Sequence, residues 1–198
     1  LMASLDQSLH RMKLDYVDLF YSHRYDPLTP LDETLQAMVD IVRCGKALYL
    51  GISRWPKEAL EYAVGYLARH DAPLLVVQDR INMLDTKPID DGILDVCEQH
   101  GVGFVSFSPL AQGLLTDRYL DSIPCDSRMA QERFLKSETL TPELLAQLRA
   151  WNDEAASEGM TLAEKALRWV LGQKCVTSVI VGASSTQQLA VNMKAAMM

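Results

Sequence analysis

His23 stands where an apolar run turns polar, in VDLFYSHRYD at residues 17–26. Val17, Leu19, Phe20 and Tyr21 are types that strands favour. An imidazole with an ordinary pKa near 6.5 at such an end can exchange a proton or orient a polar substrate. Four more strand-like runs end in groups able to do chemistry. One ends at Ser53, Arg54 and Trp55, and the next at Gln78, Asp79 and Arg80, with Asn82 just beyond. A third ends at Phe107 and Ser108, then Pro109-Leu110-Ala111-Gln112-Gly113. The last ends at Gly182, Ala183, Ser184 and Ser185 and opens a helix. Free amides and hydroxyls at a helix start suit an anion such as a phosphate, although an ordinary serine cap has the same residues. Arg118 and Arg128 could clamp phosphates or be solvated surface charges. Phe107 could stack on a flat ring or belong to a core. Polar strand ends also occur for solubility alone.

The elements that must position these groups alternate. An amphipathic helix at about 3–12 leads to a strand at 16–22. The helix in PLDETLQAMVDIVRCGK puts Leu31, Leu35, Met38 and Ile41/Val42 on one face and stops at Gly45. ALYLGIS (47–53) is strand, Pro56 to about Ala68 helix with Leu60, Val64 and Leu67 inward, and LLVVQ (74–78) strand. DDGILDVCEQHG (90–101) reads as a helix with acidic residues at its start. GFVSFS (103–108) is strand, and about 110–140 is a long polar stretch that breaks the rhythm. Helices follow at 142–158 and 161–172, then the strand TSVIVG (177–182) and a final helix in SSTQQLAVNMKAAM.

Short, continuous, apolar strands separated by helices predict a parallel sheet covered on both faces. No GxGxxG turn follows a strand, so a Rossmann dinucleotide site is unsupported. The spacing of roughly 30 residues is that of one βαβ unit and leaves a (β/α)8 barrel. Such a barrel takes about 250 residues and eight strands, and this chain of 198 residues shows five. The expectation is one α/β domain over 1–198 that is an incomplete barrel, lacking roughly its first three strands. Leu1 leads straight into a helix and NMKAAMM ends without a cap, so the chain is expected to be cut at both ends.

Composition narrows the function. Net charge is −7 and the pI about 5.1, which argues against nucleic acid or an anionic membrane as the main partner. No leader pattern or membrane-length apolar run is visible, so a cytosolic setting is expected. The four cysteines, Cys44, Cys97, Cys125 and Cys175, lie far apart. They read as reduced, structural thiols, with no metal site.

Several segments together resemble the aldo-keto reductases, in particular the branch of bacterial glyceraldehyde-3-phosphate-type reductases and potassium-channel β-subunits. They are SLDQSLHRMKLDYVDLFYSHRYD, GKALYLGISRW, VVQDRINML, FSPLAQGLLTDRY, IPCDSR and VIVGASSTQQLAVN. The resemblance implies a (β/α)8 barrel, of which this chain would supply about strands 4 to 8. It also implies that NADPH is bound in extended form and that small aldehydes or ketones are reduced by hydride transfer. His23 falls on the family's substrate-orienting histidine. Ser53, Arg54 and Gln78 fall on residues around the nicotinamide carboxamide, and Phe107 on the aromatic that stacks on that ring. Ser108, Leu110 and Gly113 fall on the pyrophosphate loop. Arg118 and Arg128 match basic residues of the loop that closes over the cofactor. Gly182 belongs to the turn before Ser184, Gln188 and Asn192, which match contacts to the adenosine 2′-phosphate and adenine.

The chain also departs from the pattern. Val191 stands where the family usually has an acidic residue just before Asn192. The family's catalytic aspartate, tyrosine and lysine fall upstream of Leu1. Tyr16, Tyr21 and Tyr25 do not occupy the tyrosine's motif, and Lys46 sits in a helix-to-strand turn. His23 would be the one retained member of a four-residue catalytic set, and the chain alone is expected to be inactive or nearly so. The alternatives are a channel-β-type regulatory subunit that binds the nicotinamide cofactor, and an α/β scaffold in which these residues are structural. Association of the full-length protein with copies of itself is left open.

Overall fold

The computed structural model describes residues 1–132 and 134–197. The chain divides into two compact units, Leu1–Asp79 with Lys87–Val105 and Arg80–Thr86 with Ser106–Met198.

In the first unit α1 (Met2–Met12), β1 (Val17–Ser22), α2 (Leu31–Arg43), β2 (Ala47–Ser53) and α3 (Lys57–Arg69) follow in order. β3 (Leu74–Arg80) ends one residue into the second unit, and α4 (Lys87–Asp90), α5 (Ile93–His100) and most of β4 (Gly103–Phe107) complete the first. β1 pairs with β2, and β2 with β3, in parallel. Of the expected inward faces, Leu35, Met38 and Ile41 on α2 and Leu60, Val64 and Leu67 on α3 are buried, while Leu31 and Val42 are half-buried. Leu5 and Leu9 of α1 pack with Ile41 and Ala47, but Met12, at the helix end, is about half exposed. Two tyrosines tie α3 to α2. Tyr62 donates to Asp32 at 2.6 Å and Tyr66 to Gln36 at 2.9 Å. The Asp32 carboxylate holds the Tyr62 hydroxyl above its ordinary pKa.

One helix differs from expectation. The run 90–101 is not continuous, because Gly92 takes φ 75 and breaks it into α4 and α5. Left-handed backbone of that kind is open to glycine and strained for other residues. The acidic pair Asp90 and Asp91 therefore closes one short helix rather than opening a long one.

The second unit corrects a larger expectation. The described residues of the stretch 110–140 form no long helix or strand, yet they build a core. Leu114, Leu115, Tyr119, Leu120, Met129 and Leu135 are buried together with Leu148 and Ala166. Three short 3-10 turns, Ala111–Gly113, Asp117–Tyr119 and Ser137–Thr139, carry the backbone through it. α6 (Pro142–Ser157), α7 (Leu162–Leu171), β5 (Val176–Ile180) and α8 (Thr186–Ala196) follow. The five strands are hydrogen-bonded in sequence order, β1-β2-β3-β4-β5.

α7 begins with a reciprocal cap. The Thr161 hydroxyl accepts from the Glu164 N–H at 3.1 Å, and the Glu164 carboxylate accepts from the Thr161 N–H at 2.8 Å. Glu164 is buried and also lies 3.1 Å from the Lys194 ammonium of α8. The Thr161 N–H, aided by Lys194, holds the Glu164 carboxyl below its ordinary pKa. A depressed carboxyl pKa contributes stability that is present above the unfolded value and lost as pH falls through the folded one. Thr161→Ala should lower stability by about 1 kcal/mol, read as a fall in the urea midpoint. An unchanged midpoint would mean the cap contributes nothing.

Among the described residues, no helix is long and apolar enough to cross a membrane, and no group of three or more His, Cys, Asp or Glu is placed to hold a metal ion.

Candidate functional site

Three adjacent strands of the first unit end level with one another. Register pairs Ser22 with Ile52, and Ser53 with Gln78. Side chains alternate along a strand, so Leu19, Tyr21 and His23 share one face with Gly51, Ser53 and Gln78. His23 is exposed just past the end of β1, and Ser53 is buried at 2% exposure. The chain leaves β2 through Arg54, a non-glycine residue at φ 58. The Arg54 N–H donates to the Gln78 carbonyl at 3.3 Å, and its guanidinium is 3.9 Å from the Asp79 carboxylate. Trp55 is buried with its ring edge-on to Tyr25, centroids 5.7 Å apart. Its indole N–H has no hydrogen-bond partner among the described residues. Thus His23, Ser53, Arg54 and Gln78 are brought to neighbouring strand ends.

In the second unit, Phe107 and Ser108 follow the same rule at the end of β4, both half-buried. Ser108, Ala111 and Gln112 have φ of 53, 46 and 60. The turn is held by the Ala111 N–H donating to the Ser108 carbonyl at 2.9 Å and the Gly113 N–H to the Leu110 carbonyl at 2.8 Å. Asn82 fixes it from beside. The buried Asn82 amide donates to the Ser108 carbonyl at 3.0 Å, and its carbonyl accepts from the Leu84 N–H at 2.9 Å. Against this turn lies a cavity of about 400 Å³ whose lining includes Arg80, Asn82, Ser108, Gln112 and Phe134. Leu110 packs on the core below.

Arg118 and Arg128 lie in the 110–140 stretch. The Arg118 guanidinium is 3.0 Å from Asp126, and Arg128 is exposed beside the buried Ser127. Gly182, Ser184 and Gln188 are exposed at the start of α8, whereas Asn192 is buried on its inner side. Here the helix start is already capped. The Ser185 hydroxyl accepts from the Gln188 N–H at 3.1 Å, and the Gln188 side chain accepts from the Ser184 N–H at 2.8 Å. An anion at this turn would share or displace the Gln188 contact.

Sequence reasoning gave Tyr21 no role beyond its strand, whereas its ring occupies the space a side chain at Gly51 would need. A glycine inside the strand ALYLGIS was the available signal, because strand glycines mark close approach of another group. It had no signal for the left-handed backbone at Arg54, Ser108, Ala111 and Gln112, which are not residue types that announce it.

A sequence model of the Aldo/keto reductase family matches residues 1–198. L-glyceraldehyde 3-phosphate reductase of Escherichia coli K12 is 47% identical over 199 residues, covering 98% of this chain and 58% of that protein. A probable voltage-gated potassium channel subunit beta of Arabidopsis thaliana is 37% identical over 192 residues, covering 95% of this chain and 58% of that one. In the solved structure of the thermostable aldo-keto reductase Tm1743 with the inhibitor epalrestat, the likeness covers 100% of this chain and 60% of that one. The TM-score is 0.75 and the identity 29%. The chain thus spans about three-fifths of the length of these relatives. The α/β order of strands and helices, the series of polar strand ends and a family match over the whole chain agree: the chain belongs to the aldo/keto reductase family.

Proposed function

We propose that the chain is part of an NADPH-dependent oxidoreductase of the cytoplasm that reduces small aldehydes or ketones, its sheet being about strands 4 to 8 of a (β/α)8 barrel. The observation that carries this reading is the backbone at the strand ends. Arg54 and Ser108 adopt left-handed φ directly after β2 and β4, and Ala111 and Gln112 do so in the turn that follows β4; such strain persists mainly where function requires it.

The residues present fit the cofactor. Ser53 and Gln78, paired at the ends of β2 and β3, supply a hydroxyl and an amide that suit a carboxamide. Phe107, half-buried at the tip of β4, offers a ring face for stacking. Ser108, Leu110 and Gly113 lie in or beside a turn whose strained backbone suits close approach to a pyrophosphate, and Arg118 and Arg128 supply the countercharge. Gly182, Ser184, Gln188 and Asn192 are assigned to the adenosine end. The bound nicotinamide supplies the hydride. His23, exposed at the end of β1, orients the carbonyl substrate.

Proton donation needs a group of suitable pKa in reach of the carbonyl oxygen. On the family pattern that tyrosine, with its lysine and aspartate, has no counterpart in residues 1–198. The chain alone should therefore bind NADPH, seen as a change in nicotinamide fluorescence, without sustained aldehyde reduction. A version carrying the family's first three strand–helix units ahead of Leu1 should turn over. Binding without turnover in that version would sink the enzyme reading. It would leave the second reading, a regulatory subunit that binds the cofactor, which the 37% identity to a protein named as a channel subunit beta favours.

A further inference from the structure

Asn82 is buried at 2% exposure, and both ends of its amide are committed. Its side-chain carbonyl accepts from the Leu84 N–H at 2.9 Å, and its side-chain N–H donates to the Ser108 carbonyl at 3.0 Å. One partner is a donor and the other an acceptor, so the amide fits only one way round. The backbone beneath it is fixed as well. The Asn82 N–H donates to the Asp85 carbonyl at 3.1 Å, and the Asp85 N–H to the Asn82 carbonyl at 3.0 Å. Next to it, the Ile81 carbonyl accepts from the Ser106 hydroxyl at 2.9 Å, with both residues fully buried. The donor that reaches Ser108 therefore stands on an anchored segment. Ser108 needs such a hold. Its φ of 53 is strained for a residue with a side chain, and Pro109 pushes its predecessor towards extended backbone. A residue in that state persists where its surroundings over-determine it. The Ser108 carbonyl takes one donor from within the turn, the Ala111 N–H at 2.9 Å, and one from outside it, Asn82.

We infer that Asn82 is a positioning residue: it holds Ser108 in its left-handed conformation and so keeps the turn from Ser108 to Gly113 preset for the pyrophosphate of a dinucleotide. With the carbonyl drawn to Asn82, the chain leaves β4 in one direction, and the backbone of Leu110 and Gly113 is in place before a ligand arrives. Without the outside donor, Ser108 can relax to negative φ. The turn that follows then swings with it, and binding must first rebuild it. Preset geometry of this kind raises affinity by lowering the ordering cost of binding. The inference rests on the reading of this turn as the pyrophosphate site. It adds a residue that acts through Ser108 rather than on the ligand.

The test is Asn82→Ser in this chain. A serine can still accept from the Leu84 N–H, but it is shorter than the amide and leaves the Ser108 carbonyl without its outside donor. Ser106→Ala is the comparison, since it breaks the neighbouring buried bond to Ile81 and leaves Asn82 in place. In NMR of the ligand-free parent, the Asn82 side-chain N–H should exchange slowly with solvent. The one-bond Cα–Hα coupling of Ser108, which separates positive from negative φ, should have its positive-φ value in the parent and in Ser106→Ala and move in Asn82→Ser. The affinity for NADP+ relative to adenosine 2′-monophosphate, which has no pyrophosphate, should fall about threefold to tenfold in Asn82→Ser alone. Fast exchange at Asn82 in the parent would overturn the positioning role even if Asn82→Ser did not fold, and an unmoved Ser108 coupling would overturn it whether or not a dinucleotide binds. A moved coupling with an unchanged ratio, or an equal fall in Ser106→Ala, would overturn the pyrophosphate role. A parent that binds neither nucleotide would overturn the cofactor reading and the pyrophosphate role with it, while the Ser108 coupling would still decide whether Asn82 holds the turn.

Discussion

Leu115→Ala should destabilise the second unit by about 2–5 kcal/mol, although it falls in a stretch that looks like a polar loop. Leu115 is fully buried and packs in one cluster with Tyr119, Met129, Leu148 and Ala166. Removing the Cγ carbon and its two methyl groups from such a place costs both their transfer from water and the cavity left behind. The exposed Leu189 is 47% accessible, and Leu189→Ala should change stability by no more than about 0.5 kcal/mol. Urea unfolding followed by circular dichroism separates the two, provided the slope of free energy against urea is unchanged. A domain holds only about 5–15 kcal/mol in total, so the loss would be visible as a large shift in midpoint. If Leu115→Ala behaved like Leu189→Ala, the 110–140 stretch would not be the packed element described above.

That stretch shows why parts of the fold were legible and others were not. β2 was read at its observed bounds, Ala47–Ser53, because a continuous apolar run is a signal carried by consecutive residues. The inward faces of α2 and α3 were equally plain, since helical spacing collects Leu35, Met38 and Ile41, or Leu60, Val64 and Leu67, on one side. Leu114, Leu115, Tyr119, Leu120, Met129 and Leu135 follow no period. Their burial depends on turns that bring them round to Leu148 of α6 and Ala166 of α7, and on partners such as Arg149, whose guanidinium donates to the Leu120 carbonyl at 2.6 Å. No local pattern encodes a partner far along the chain.

The candidate site divides in the same way. His23, Ser53, Gln78 and Phe107 could be named because a strand end is visible in sequence and a barrel's chemistry sits at such ends. What prepares those ends was not visible. Asn82 holds the Ser108 carbonyl, and Gln188 occupies the Ser184 N–H. Each of these is a side chain acting on a neighbour's polar group. The residue types alone allow many such pairings, and only the register selects among them.

Arg128→Ala should weaken NADPH binding about tenfold, and more than Arg118→Ala does. A hydrogen bond to a charged group contributes about 1.5–3 kcal/mol, and tenfold in affinity corresponds to about 1.4 kcal/mol. The two arginines differ in what they already hold. Arg118 lies 3.0 Å from Asp126, so turning to a phosphate costs it that pair and its net contribution to binding is smaller. Arg128 is exposed next to the anchored Ser127, so its backbone is fixed while its guanidinium can swing to a ligand. Asp126→Asn should then act in the opposite sense, releasing Arg118 and tightening binding by a few-fold. Fluorescence titration of the three variants and the parent at low and at high salt gives the comparison. The differences should shrink at high salt, where charge interactions at exposed sites are screened within about 3 Å at 1 M. Equal affinity for NADPH in Arg128→Ala and the parent at low salt would remove Arg128 from the cofactor site, and a loss that does not respond to salt would assign it a structural rather than an electrostatic part.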